Sequence, residues 1–151
     1  GRRGVLGPPL AAIGVTLPFS TAGAVLAETF VALPFLVLTL EGALAGLDRR
    51  HEDVAATLGA GPLAVFRRVT LPSVAPALAA GSALAWARAL GEFGATVTFA
   101  GNLPGRTQTL PLAVYLALQE DPATAVALSL ALLVVSLVVL VGLRGRWVAR
   151  T

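Results

Sequence analysis

The sequence predicts an all-α, polytopic transmembrane helical bundle, and three observations carry that class. The first is composition: 56% of the 151 residues are hydrophobic and 13% are charged, whereas soluble domains carry about a quarter charged residues. Mean hydropathy is +0.84. The second is patterning, because the apolar residues gather into three long stretches at about 19–40, 73–98 and 122–143. Each reaches the roughly 20 residues needed to cross a hydrocarbon layer as a helix. The third is that the polar residues are confined to what lies between, above all residues 48–72. The chain reads as one transmembrane domain over residues 1–151.

Composition also excludes classes. Without cysteine there is no disulfide, thiol nucleophile or thiolate metal site. His51 is the single histidine, and no carboxylate pattern around it suits a metal, so neither metal nor cofactor is expected. Neither a nucleophile–base pair nor an acid–base set is present, so no catalytic residue is assigned. The eleven basic residues are all arginine, which in a soluble domain invites a nucleic-acid reading. Here they flank apolar runs and the net charge is only +3; their reading is membrane orientation, and no nucleic-acid partner is expected. The sequence has no methionine, even at position 1, so a piece of a longer protein whose N-terminal part is missing is expected.

Taken in order, residues 1–17 carry Arg2 and Arg3 and then a run broken by Pro8 and Pro9, which predicts a loop or short interfacial helix. The first span follows from Phe19 to about Leu40, with Glu28 and Pro34 inside it. Residues 41–72 form a polar region whose core, 48–72, has the grammar of two short helices. Asp48 suits a helix N-cap. Gly59 stands where a left-handed terminator is wanted, and Pro62 suits the first turn of a second helix running to about Val69. Thr70-Leu71-Pro72 then restarts the chain into the second span, expected to continue through Arg88 and Glu92 towards Ala100. GNLPGRTQTLP reads as a loop turning at Pro104-Gly105. Leu112–Gln119 allows a short helix, and Pro122 to Leu143, with no charge at all, is the clearest span. Arg144, Arg146 and Arg150, with Trp147 as an interface anchor, close the chain. The arginines of residues 48–72 and of the tail place both on the cytoplasmic side; Arg2 and Arg3 then lie outside, against that rule.

Two groups of residues invite a functional reading. In the elbow, Ala55, Ala56 and Gly59 are small enough for close docking and Leu58 can fill a pocket on a soluble partner. Glu52, Asp53, Arg49 and Arg50 can supply charge pairs at its rim. The plainer reading is an ordinary amphipathic loop. In the second span Arg88 and Glu92 stand at i, i+4 and can pair on one face. Ionisable groups at such depth usually face protein or water, so the pair either neutralises itself between helices or braces a gate, with Gly91 and Gly94 permitting a bend beside a pathway. Thr96 and Thr98, then Asn102, Arg106, Thr107, Gln108 and Thr109, form a polar run that can accept an oxyanion without fixed negative charge. A solvated loop is the bland alternative, and Glu28 serves helix packing at least as readily as a pathway.

The elbow also carries a spacing. Asp53-Val54-Ala55, Gly59, Val69 and Leu71-Pro72 fit EAA–x3–G–x9–I–x–LP and resemble the signature loop of ABC-transporter permeases of the binding-protein-dependent import class. Asp53 replaces the usual Glu and Val54 the usual Ala. Residues 91–115, GEFGATVTFAGNLPGRTQTLPLAVY, resemble the molybdate branch of that family and, less closely, the sulfate/thiosulfate branch. The resemblance covers nearly the whole chain as the C-terminal portion of such a subunit. It implies a bacterial inner-membrane permease in which the elbow is a coupling helix docked on a cytoplasmic ABC ATPase. It also implies a homodimer fed by a periplasmic or extracellular oxyanion-binding protein. ATP hydrolysis then belongs to a partner chain, since no P-loop is present here. The rival from another class is a secondary transporter without an ATPase, which has no need of the elbow.

Overall fold

The structure, a computed structural model, describes residues 16–148 together with Pro9, Ala12 and Gly14, with side chains as far as Gly142. The expected interfacial segment with Arg2 and Arg3, and the side chains of Arg144, Arg146, Trp147 and Arg150, lie outside the described residues. Among the described residues the regular structure is entirely helical.

Helix α1, Thr21–Ala45, begins at Ser20, whose hydroxyl accepts from the Gly23 N–H at 3.1 Å and donates to the Leu17 carbonyl at 2.7 Å. It passes Pro34 and runs beyond Leu40 through Glu41, closing at Gly46. The polar region therefore starts later than the sequence predicts, because the segment after Glu41 consists mainly of good helix formers and nothing stops the helix before Gly46. Helix α2, Arg50–Thr57, is the short elbow helix. Helix α3, Pro62–Leu90, is continuous where the sequence reading expected a restart at Thr70-Leu71-Pro72. A π-turn at Phe66–Thr70 makes that continuity tolerable: the Leu71 N–H reaches back five residues to the Phe66 carbonyl. Proline inside a helix clashes with the carbonyl four residues earlier, and the widened turn just before Pro72 relieves that crowding. At its far end α3 stops at Leu90 and does not continue to residue 98; a separate helix α4, Gly94–Phe99, follows. Helices α5, Leu110–Glu120, and α6, Pro122–Val148, complete the chain.

The most extensive packing joins α1 to α3; α1 also meets α4, α5 meets α6, and α3 meets α6. Small residues occupy the buried positions of α1, and one glycine of α3 meets it closely. Ala24, Ala27 and Ala32 are buried on α1, and a Cβ at Gly81 of α3 would lie 3.1 Å from both Leu36 Cδ1 and Thr39 Cβ. Where lipid tails are as apolar as leucine, close backbone approach through small residues replaces hydrophobic burial as the cause of association. Outward faces remain apolar: Phe30, Leu38, Val126, Leu133 and Val138 are all more than half exposed. Helices α1, α3 and α6 are each long and apolar enough to cross a membrane.

The start of α1 meets the loop after α4. Thr21 donates to the Arg106 carbonyl at 2.9 Å, and Phe19 lies against Gly101. Since α1 has 25 residues, the elbow lies about 37 Å along the helix axis from this end at 1.5 Å per residue. Val139 of α6 shares a cleft with Ala75, Ala79, Ser82 and Trp86 of α3, so the later part of α6 runs alongside the middle of α3 and the turns that follow it.

Candidate functional site

The elbow is assembled from local rules. The Asp48 carboxylate accepts the Arg50 N–H at 3.0 Å, capping α2, and Glu52 and Asp53 sit in the first turn where the helix dipole favours anions. The end of α2 has both bonds of a Schellman closure: Gly59 N–H to the Ala56 carbonyl at 3.0 Å and Ala60 N–H to the Ala55 carbonyl at 3.1 Å. Gly59 has φ +85°, a conformation glycine adopts without the Cβ penalty. Pro62 opens α3 at its first turn.

No residue of α2 is buried. Leu58 is 82% exposed and, with Ala55, Gly59, Ala64 and Val69, lines an open, mostly apolar groove between α2 and the first turns of α3. Arg68 lines it on α3, and Arg67 lines a neighbouring cleft with Gly61 and Leu63. The structure thus brings Asp53, Ala55, Ala56, Leu58 and Gly59 to one projecting unit. Leu71 and Pro72 are elsewhere, in the body of α3 just past the π-turn. Glu52 differs from its expected place at the rim: its Oε1 accepts a hydrogen bond from the Thr70 hydroxyl, a residue only 9% exposed. Sequence reasoning passed over Thr70, for nothing local links two residues 18 positions apart.

The second group surrounds the break between α3 and α4. Arg88 Nη1 lies 2.7 Å from Glu92 Oε2, while Glu92 Oε1 accepts the Ala95 N–H at 2.8 Å. One carboxylate thereby ties the last turn of α3 to the first turn of α4. Its side chain is 6% exposed, against 38% for Arg88, so the pair is open on the arginine side only. Gly91 and Gly94 flank it, and neither has a positive φ.

Thr96 and Thr98 do not share an environment, because residues two apart on a helix point to opposite sides. Thr96 is fully buried with no partner for its hydroxyl, and Thr98 is exposed. The following loop is a built turn. The Leu103 carbonyl accepts from the N–H groups of Arg106, Thr107 and Gln108, and the Thr107 hydroxyl bridges the Leu103 N–H at 3.0 Å and the Gly101 carbonyl at 3.2 Å. Asn102 Oδ1 and Thr109 Oγ1 are buried without partners. Phe93 packs edge-on to Tyr115 of α5, ring centres 5.2 Å apart. Among the described residues no three His, Cys, Asp or Glu side chains come together as a metal-binding group.

Comparison with known proteins places this arrangement. The family model described as binding-protein-dependent transport system inner membrane component matches residues 5–150. The chain is 55% identical to the molybdenum transport system permease protein of Mycobacterium bovis, over 97% of this chain and 55% of that protein. Against the protein of the same name in Escherichia coli K12 it is 42% identical, over 99% of this chain and 66% of the relative. With the sulfate transport system permease protein of Salmonella typhimurium the identity is 39%, over 91% of this chain and 50% of the relative. The chain thus spans between about half and two thirds of the length of these relatives. The three membrane-length helices and the matched residues lead to one statement of kinship: the chain belongs to the family of inner membrane components of binding-protein-dependent transport systems.

Proposed function

We propose that the chain is the membrane-spanning part of an ATP-driven importer for molybdate or tungstate-type oxyanions, working by alternating access. The observation that carries this is the elbow. A short helix with no buried residue projects between two membrane-length helices and offers a protruding Leu58 and an apolar groove. Such a surface suits a soluble subunit that pushes on it. In this reading α2 is the coupling helix, seated on a cytoplasmic ATPase that supplies the hydrolysis this chain cannot. A second copy of the subunit completes the pathway, and an external oxyanion-binding protein delivers the ion.

At the break, Glu92 is poorly suited to hold an anion, since its charge repels a dianion and both oxygens are already engaged. Its role is to brace the joint between α3 and α4. Arg88, open on one side, lowers the barrier to a passing anion, and the exposed Thr98 offers a neutral hydroxyl. Gly91 and Gly94 leave the joint free of side-chain bulk, while Thr96 lies behind the surface.

The test is uptake into lipid vesicles holding the full-length permease, its ATPase and its binding protein. Labelled molybdate enters only with ATP and only weakly competes with sulfate. Equal competition by sulfate transfers the assignment to the sulfate branch, to which the 39% relative belongs by name. Uptake that needs no ATPase replaces it with a secondary transporter.

A further inference from the structure

The elbow helix is joined to α3 by two routes of very different stiffness. Through the chain the link is residues 58–61, which include Gly59 with φ +85° and Gly61. A connection with two glycines yields readily when pushed. Through space the link is the hydrogen bond from the Thr70 hydroxyl to Glu52 Oε1. Among the described residues it is the one side-chain to side-chain hydrogen bond that ties α2 to α3. Thr70 is also the last residue of the π-turn, whose Leu71 N–H bonds five residues back. Such turns are rare, interrupt the regular hydrogen-bond ladder of a helix and are frequent at functional sites. The bond therefore attaches α2 to the turn of α3 where the regular helical hydrogen-bond ladder is interrupted.

We infer that the Glu52–Thr70 bond is the stiff link of the elbow, and that Thr70 is a positioning residue through which displacement of α2 reaches the π-turn and so α3. Glu52 then acts inward, on this chain, and the groove residues act outward. The inference rests on the proposed coupling role of α2. Its geometric half, that the bond holds α2 against α3, does not.

The experiment compares wild type with Thr70→Val, which keeps the shape and removes the donor, Thr70→Ser, which restores the donor, and Glu52→Ala, which removes the acceptor. All are made in the full-length subunit assembled with its ATPase and binding protein. Two quantities are read: amide hydrogen exchange of residues 50–57, and labelled molybdate ions imported per ATP hydrolysed. A hydrogen bond to a charged group is worth enough to change an opening equilibrium about tenfold or more. In Thr70→Val and Glu52→Ala the 50–57 amides accordingly exchange about tenfold faster, and import per ATP falls by a similar factor while hydrolysis continues. Thr70→Ser stays within about twofold of wild type in both. Unchanged exchange in Thr70→Val and Glu52→Ala overturns the link. Faster exchange with unchanged import per ATP overturns the positioning role. If wild type itself imports no molybdate with ATP, the functional reading fails, and the exchange result still decides whether the bond holds the elbow. Should Thr70→Val not fold, Glu52→Ala breaks the same bond from an elbow helix that contributes no buried residue.

Discussion

The elbow and the break between α3 and α4 spend similar polar residues in opposite ways. In the elbow, Arg50–Thr57 buries nothing and its charges face out, with Glu52 the exception. At the break, Glu92 is 5% exposed, Thr96 fully buried and Thr107 2% exposed, and the loop closes on its own backbone. Polar groups that face water cost little and are free to meet a partner. Buried polar groups that are bonded within the fold, as Glu92 and Thr107 are, fix its geometry, whereas the Thr96 hydroxyl is buried without a partner. The contrast suggests that damage at the break appears first as instability, and damage at the elbow as lost transmission.

The largest effect tests that directly. Glu92→Ala removes the partner of Arg88 and the acceptor for Ala95 together. The expected loss is about 3 kcal/mol, at the low end for a buried pair because Arg88 is partly open. Thermal unfolding in detergent measures it, and Glu92→Gln, which keeps an acceptor, loses less. An equal loss in both, or none in either, removes the brace from the account.

Next comes Gly101→Ala. A Cβ there would meet Phe19 Cδ1 at 2.9 Å, at φ +77°. Left-handed strain and the displaced ring together cost about 1–2 kcal/mol, again read from unfolding temperature. At the elbow Gly59 also has positive φ, +85°, but nothing lies within 4 Å of its Cβ position. Gly59→Val therefore costs about 1–2 kcal/mol through left-handed backbone strain alone, with no steric clash added. Under the proposed coupling role, ATP-driven molybdate uptake by the assembled transporter falls several-fold, with Gly59→Asn less affected. Loss of stability with uptake intact would reverse the contrast between the two regions.

The smallest effect lies at the α5–α6 junction, which belongs to neither region. Asp121 accepts from the Thr124 hydroxyl at 2.6 Å and the Ala123 N–H at 3.0 Å, and these bonds hold its carboxyl below the ordinary aspartate range. The folded value is the lower one, so the contribution is complete above about pH 4 and lost as pH falls beneath it. Helicity of wild type compared with Asp121→Asn, followed from about pH 6 to pH 3, shows a difference that narrows with acidification. A constant difference means that the cap owes nothing to ionisation.

Much of this was legible before any coordinates. Asp48, Gly59 and Pro62 mark the limits of the elbow helices because capping acts over two to five residues and leaves its residue types in the sequence. The Arg88–Glu92 contact follows from i, i+4 spacing. The limits of the reading have equally physical causes. Pro72 signals a stop, but a π-turn absorbs it, and no residue type encodes that turn. Thr96 and Thr98 look alike in sequence, and only packing against the rest of the fold buries one and exposes the other.

What the sequence determined by itself was the class, the three membrane-length helices and the place of the elbow. Each depends on hydropathy or on hydrogen bonds between near neighbours, whose energies are set residue by residue. What only the tertiary structure decided was which way the polar side chains turn: Glu52 towards Thr70, Phe19 onto Gly101, Thr21 to the Arg106 carbonyl. These contacts join positions 18 to 85 residues apart. They exist because the assembled chain returns the elbow helix against α3 and the start of α1 against the loop after α4, and closeness of that kind belongs to the assembled helices, not to any one of them.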